Sequence, residues 1–152
     1  MTPSLLQRLT SALGQVLTVI DEDDDALTVS HDGTVASIRV VTIGEGLEMV
    51  SLTQPLAWDL PLTAKIRERV ARHASDTMLG TVALVEKVAD GPETPTNGSS
   101  TTGSARKATA KKTADVMLRY NFPGSGLTDE ALCTLILMVL GAGADIRRAL
   151  TA

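Results

Sequence analysis

Chemistry needs side chains that can hold a proton, a metal or an electron pair at workable spacing, and this chain offers few. Its densest group is Asp21-Glu22-Asp23-Asp24-Asp25, a run of consecutive carboxylates. Such a run could hold a hard cation. A calcium loop, however, spaces its ligands at alternate positions around a turn glycine, and this run has neither feature. It reads as a solvated acidic turn beside a helix C-terminus, where negative charge is unfavourable and helps to end the helix. His31 and His73 are the only histidines, and neither has a Cys, Asp or second His at a metal-ligand spacing. The single Cys133 lies in an apolar stretch and reads as inert core rather than a nucleophile. No G-x-S-x-G, G-x-x-x-x-G-K-S/T or G-x-G-x-x-G motif occurs. The short pairs Gly44/Gly46, Gly124/Gly126 and Gly141/Gly143 signal turns or close packing. The chain reads as a non-enzyme that needs no cofactor or metal.

Composition sets further bounds. At 152 residues the chain fits one domain, residues 1–152. Hydrophobic residues make up 43% but aromatics only 2%, namely Trp58, Tyr120 and Phe122, so the core must be aliphatic. A formal net charge of −4 argues against a general nucleic-acid binder, which carries a dominant basic face. One cysteine cannot make an internal disulfide, which suits a reducing compartment. The longest apolar run, 131–144, is short of the roughly 20 residues that span a bilayer. The N-terminus lacks the pattern of a signal peptide. A cytoplasmic protein with no membrane partner is the expectation.

The elements are more legible than the chemistry. Residues 26–56 read as three consecutive antiparallel strands, with an Asp-Gly turn at Asp32-Gly33 and a second reversal at Gly44-Glu45-Gly46. Before them, Thr2-Pro3 suggests a helix start, and Leu5, Leu6, Leu9, Leu13, Val16, Leu17 and Ile20 make one apolar stripe. After them, Pro55 and Pro61 exclude a continued central strand. Trp58, between the two prolines, admits two readings: a core plug beneath the next helix or an exposed anchor for a partner. Residues 62–77 read as a helix with Leu62, Ile66, Val70 and Ala74 on its apolar face and Lys65, Arg69 and Arg72 opposite. Two more strands follow at 81–89 and 115–122, the second alternating Val116, Leu118, Tyr120 and Phe122 with Met117, Arg119 and Asn121.

Between those strands, residues 91–112 are rich in Gly, Pro, Ser and Thr and read as a disordered loop with a basic half at 104–113. The last helix starts at Thr128-Asp129-Glu130, a capping hydroxyl followed by two acids. Leu132, Leu135, Ile136, Val139, Leu140, Ile146 and Leu150 form its sheet-facing stripe, while Cys133, Leu137 and Met138 spread the apolar surface beyond it. That surplus calls for a second neighbour, within the chain or from another copy. The expected fold is α+β, an antiparallel five-stranded sheet with helices in the order α-β-β-β-α-β-β-α.

This order, with the phrases Ile38-Arg39-Val40, Leu52-Thr53-Gln54-Pro55-Leu56, Leu79-Gly80-Thr81-Val82 and Ala114-Asp115-Val116-Met117-Leu118-Arg119-Tyr120, resembles the bacterial type III secretion chaperone-like fold and its YbjN-like relatives. The long segment between the fourth and fifth strands departs from the compact hairpin expected there. The resemblance implies a small acidic cytoplasmic protein, often a homodimer, that holds an extended segment of a protein or peptide client. A regulatory module acting through protein contacts, with the basic loop on nucleic acid, is the alternative. Alternation assigns Ser37, Arg39, Glu48, Ser51 and Arg119 to a second, polar sheet face. Trp58, Leu137 and Met138 are the candidate partner contacts, since they exceed what the core requires and Met adapts to varied partners.

Overall fold

The computed structural model describes residues 3–88 and 112–151. In chain order these form α1 (Leu5–Leu13), β1 (Thr18–Glu22), β2 (Ala26–His31), β3 (Thr34–Gly44), β4 (Leu47–Pro61), α2 (Ala64–Asp76), β5 (Thr81–Val88), β6 (Lys112–Pro123) and α3 (Asp129–Thr151). Neighbouring strands are all antiparallel, in the order β1-β2-β3-β4-β6-β5. The fold is α+β with an antiparallel sheet, but the sheet has six strands instead of five. The element order is α-β-β-β-β-α-β-β-α. Of the segment read as a disordered loop, only Lys112 falls within the described residues, and it opens β6 opposite Val88. No helix among the described residues is long and apolar enough to cross a membrane.

The sixth strand comes from the stretch read as the end of the first helix. Ser4, not Thr2, caps α1: its hydroxyl accepts the Gln7 N–H at 3.1 Å while the Gln7 side chain accepts the Ser4 N–H at 2.8 Å. This reciprocal box fixes the helix start. Leu5, Leu9 and Leu13 bury one face, and Gly14 caps the other end. Thr18-Val19-Ile20 beyond it is β-branched throughout, a run that gives up side-chain freedom in a helix and suits a pleated strand. It pairs with β2 at Thr18/Ser30 and Val19/Val29. Val16 and Ile20 therefore lie 55% exposed instead of extending the helical stripe. The acidic run is divided between two structures. Asp21 and Glu22 belong to β1, and the Asp23 carboxylate accepts the N–H groups of Asp25 and Ala26 at 2.8 and 2.9 Å, turning the chain into β2.

The three-stranded meander at 26–56 is present as β2, β3 and the first part of β4. Asp32 and Gly33 have φ of 48° and 82°, the two left-handed residues that a tight hairpin turn requires. β4 runs on to Pro61, through both prolines read as ending it. Its pairing with β3 stops at Ser37/Thr53, so Pro55 meets no partner on that side. Register shifts against β6 between Pro55 and Leu60 accommodate the rest.

All three helices cover one face of the sheet, where Leu27, Val29, Ile38, Leu52, Val116 and Leu118 are buried. α3 buries Leu132, Ile136, Val139, Leu140, Ile146 and Leu150 as its spacing implied, with Leu135 half-buried. On α2, Val70 is buried but Ala74 is exposed. Arg69, read as part of a wet basic stripe, instead is half-buried and donates to the Ala149 carbonyl in the last turn of α3. The terminal carbonyls of a helix need such donors.

At the centre of the covered face, the fully buried Gln54 amide donates to Thr34 Oγ1 at 2.8 Å and to the Leu140 carbonyl at 3.2 Å. α3 approaches so closely that a Cβ on Gly143 would lie 1.8 Å from Gln54 Oε1, whereas one on Gly141 meets nothing within 4 Å. Two glycines two residues apart should thus respond oppositely to alanine. Gly143→Ala should cost about 1–3 kcal/mol through overpacking, and Gly141→Ala should gain up to about 1 kcal/mol of helix propensity. Urea unfolding of both variants checks this; equal shifts would show that the crowding is relieved by movement of α3.

Candidate functional site

Among the described residues the opposite face of the sheet carries no helix, and strand register orders its residues into rows. Ser37, Thr53, Arg119 and Thr81 make one row across β3, β4, β6 and β5. Arg39, Ser51 and Asn121 make the next in one direction, and Pro55, Met117 and Ala83 the next in the other. Four of the five residues assigned here by alternation are therefore in place. Glu48 is not: it pairs with Thr42, two residues from buried Val50, and so shares the helix side. Its backbone N–H donates to Ser125 Oγ at 2.9 Å.

The uncovered face ends at Trp58, which is 58% exposed and so is not a core plug. A cleft of about 340 Å³ beside it is lined by Val35, Pro55, Leu56 and Arg147 among others. The backbone here is irregular: register shifts flank Ala57, and Asp59 has φ of 54°, a conformation few non-glycine residues adopt. Polar contacts hold that shape. The Asp59 N–H donates to Asp115 Oδ1 at 2.9 Å. Lys87 Nζ lies 2.6 Å from Asp59 Oδ1 and 2.9 Å from Asp115 Oδ1, and 6.0 Å from the Trp58 ring centroid. Trp58 thus stands on a backbone clamped by an Asp-Lys-Asp group, with the ammonium at the edge of cation–π range.

Sequence reasoning found Trp58 but not the clamp. Asp59, Lys87 and Asp115 come from three strands, and only the register β4-β6-β5 brings them together. A lysine in the alternation of β5 was the one available signal.

The other two candidate contacts lie elsewhere. Leu137 and Met138 are on α3, on the covered side, where Leu137 is half-buried and Met138 is 49% exposed. α1 and α2 both pack against α3, and of the apolar surplus read from the sequence Cys133 packs against the core. Cys133 is half-buried, and desolvation, with Asp129 nearby, raises its thiol pKa, so it is a poor nucleophile at neutral pH. Among the described residues, no three His, Cys, Asp or Glu side chains gather where they could hold a metal ion.

The clamp has a definite electrostatic sign. Burial pushes the Asp115 carboxyl upward, but the Asp59 N–H and the Lys87 ammonium together outweigh it and leave the pKa below the ordinary value. Asp59 first, and then Asp115, raise that of Lys87. What the arrangement can do chemically is present a fixed, partly wet indole beside an apolar cleft. Compared with known proteins, the chain matches no family model, no curated protein and no solved structure.

Because Asp115 titrates lower folded than unfolded, its contribution to stability is complete above the ordinary carboxylate range, near pH 4, and is lost as pH falls through its lower folded value. Urea midpoints measured from pH 7 to pH 2.5 should therefore drop at the acid end. Asp115→Asn should be less stable at pH 7 and lose less on acidification, and parallel curves for the two proteins would remove the clamp from the account.

Proposed function

We propose that the protein is a non-enzymatic, chaperone-like module that holds an extended segment of a partner protein against its uncovered sheet face. The observation that carries this reading is Trp58, the chain's one tryptophan, left in water on a backbone fixed by three other residues. An exposed indole forgoes the burial that would stabilise the fold, and a left-handed aspartate next to it costs about 1–3 kcal/mol. Binding energy at interfaces concentrates in such aromatic anchors, and holding one rigid before the partner arrives reduces the entropy lost on binding.

The element order supports the same reading. Without β1 it is the α-β-β-β-α-β-β-α order of the type III secretion chaperone-like and YbjN-like proteins that the chain resembles. A cytoplasmic client-holding role, with a homodimer formed through Met138 and Leu137 on α3, completes the proposal.

The lone tryptophan makes its own test. Titration with a reduced, carboxymethylated protein, a permanently unfolded client, should shift Trp58 emission to the blue and shield it from a soluble quencher. Trp58→Ala should weaken that binding by about tenfold or more. Unchanged emission at saturating client would remove the sheet face as the site.

Light scattering on the same sample should give twice the 15.9 kDa chain mass, falling to a single chain in a folded Leu137→Glu variant. A wild-type monomer would take self-association out of the proposal without touching the client site.

A further inference from the structure

The uncovered face changes character along the strands. Around Trp58 it is apolar, with Val35, Pro55, Val85 and Met117 half-buried or exposed. The next two rows carry hydroxyl and amide groups and two guanidinium groups, Arg119 in one row and Arg39 in the next, both exposed. Among the described residues neither arginine makes an ion pair, whereas Arg8, Arg67 and Arg148 are each paired with a carboxylate.

Carboxylates on this face are either taken or remote. Asp59 and Asp115 are paired with Lys87. Asp21 shares the row of Ser37 and Arg119 through Thr28 but sits on the edge strand β1, four strand spacings or about 19 Å from Arg119. Asp23, in the β1–β2 turn, interacts with Arg39 without forming an ion pair. A chain of net charge −4 therefore presents two cations that, among the described residues, stand outside any ion pair at the middle of this face.

We infer that the segment held there is acidic as well as apolar, with a bulky apolar side chain against Trp58 and Pro55 and carboxylates at the second and fourth positions beyond it. The spacing follows from the sheet. Successive rows are two residues apart, about 6.8 Å, and an extended peptide running along β4 repeats its side chains at the same pitch. An anchor at position i beside Pro55 and Met117 puts position i+2 over the row of Arg119 and position i+4 over that of Arg39. Arginine suits this task because its planar fork matches a carboxylate with two parallel hydrogen bonds.

This inference rests on the reading of the face as a client site and adds what the client must carry. A displayed library of random 12-residue peptides, selected on the immobilised full chain, tests both. The wild-type protein should enrich Leu, Ile, Phe or Trp followed by Asp or Glu two and four residues later. The double variant Arg39→Glu/Arg119→Glu, folded by circular dichroism since both side chains are exposed, should enrich Lys or Arg at those positions instead. A synthetic peptide from the wild-type selection should lose about tenfold in affinity to the double variant, by fluorescence anisotropy. Enrichment of apolar peptides with no acidic preference, or a preference unmoved by charge reversal, overturns the inference and leaves the client site standing. No enrichment of any peptide on the wild type overturns the client site itself.

Discussion

The structure depends on one contact, the seating of α3 against β4 at Gly143 and Gln54. A buried amide is costly unless its hydrogen bonds are made. Gln54 Nε2 donates to Thr34 of β3 and to Leu140 of α3, tying three elements at one point, while its Oε1 is buried against Gly143 with no hydrogen-bond partner. Only a glycine lets the helix come that near. With the middle of α3 fixed, its ends fall within reach of particular partners: Arg8 of α1 meets Asp129 at 2.8 Å, Asp32 of the β2–β3 turn meets Arg148 at 2.5 Å, and Arg69 of α2 reaches the Ala149 carbonyl. α1 and α2 are thereby gathered around α3 on a single side of the sheet.

One-sided cover decides what remains for function. A six-stranded sheet whose described helices all lie on one face leaves the other to be stabilised by its own side chains, and its middle rows here are hydroxyls, an amide and arginines that water solvates well. Trp58 breaks that pattern. It is reached through a strand that continues past the end of its β3 partner, takes a proline and two register shifts, and turns an aspartate left-handed. Each irregularity is destabilising alone, and together they re-aim one side chain. Irregular strand ends of this kind occur where a residue is presented rather than packed.

Local pattern was legible in this chain, and long-range pairing was not. The 26–56 meander, the alternation of β6 and the stripe of α3 all follow from period-2 or period-3.6 burial, which a sequence displays directly. The α1–β1 boundary was missed because Val16, Leu17 and Ile20 fit a helical stripe as well as a strand, and only the β-branched run 18–20 distinguishes them. Pro55 looked like a strand breaker because its tolerance depends on where the pairing of β4 with β3 stops, which is a register fact. Glu48 was assigned to the wrong face although its spacing from Val50 was available to prevent it. Of the site, Trp58 stood out by rarity, but Asp59, Lys87 and Asp115 are not brought together until β6 lies between β4 and β5. Gly124 and Gly143 were readable as packing glycines, yet their partners were not: a Cβ on Gly124 would press on Val50 and Leu5.

An uncovered face with apolar ends must also avoid self-association. Val41 and Ile43 are exposed toward one end and Trp58 and Val85 toward the other. Arg39 and Arg119 lie in the rows between them. Two small apolar areas separated by charge are less prone to non-specific association than one continuous patch, and the repulsion between like belts disfavours face-to-face pairing of two copies. A segment that brings carboxylates to the belt converts that barrier into attraction and gains access to apolar surface on either side. On the proposed reading the same two arginines serve solubility when the face is empty and selectivity when it is filled, a role for cations that form no ion pair among the described residues.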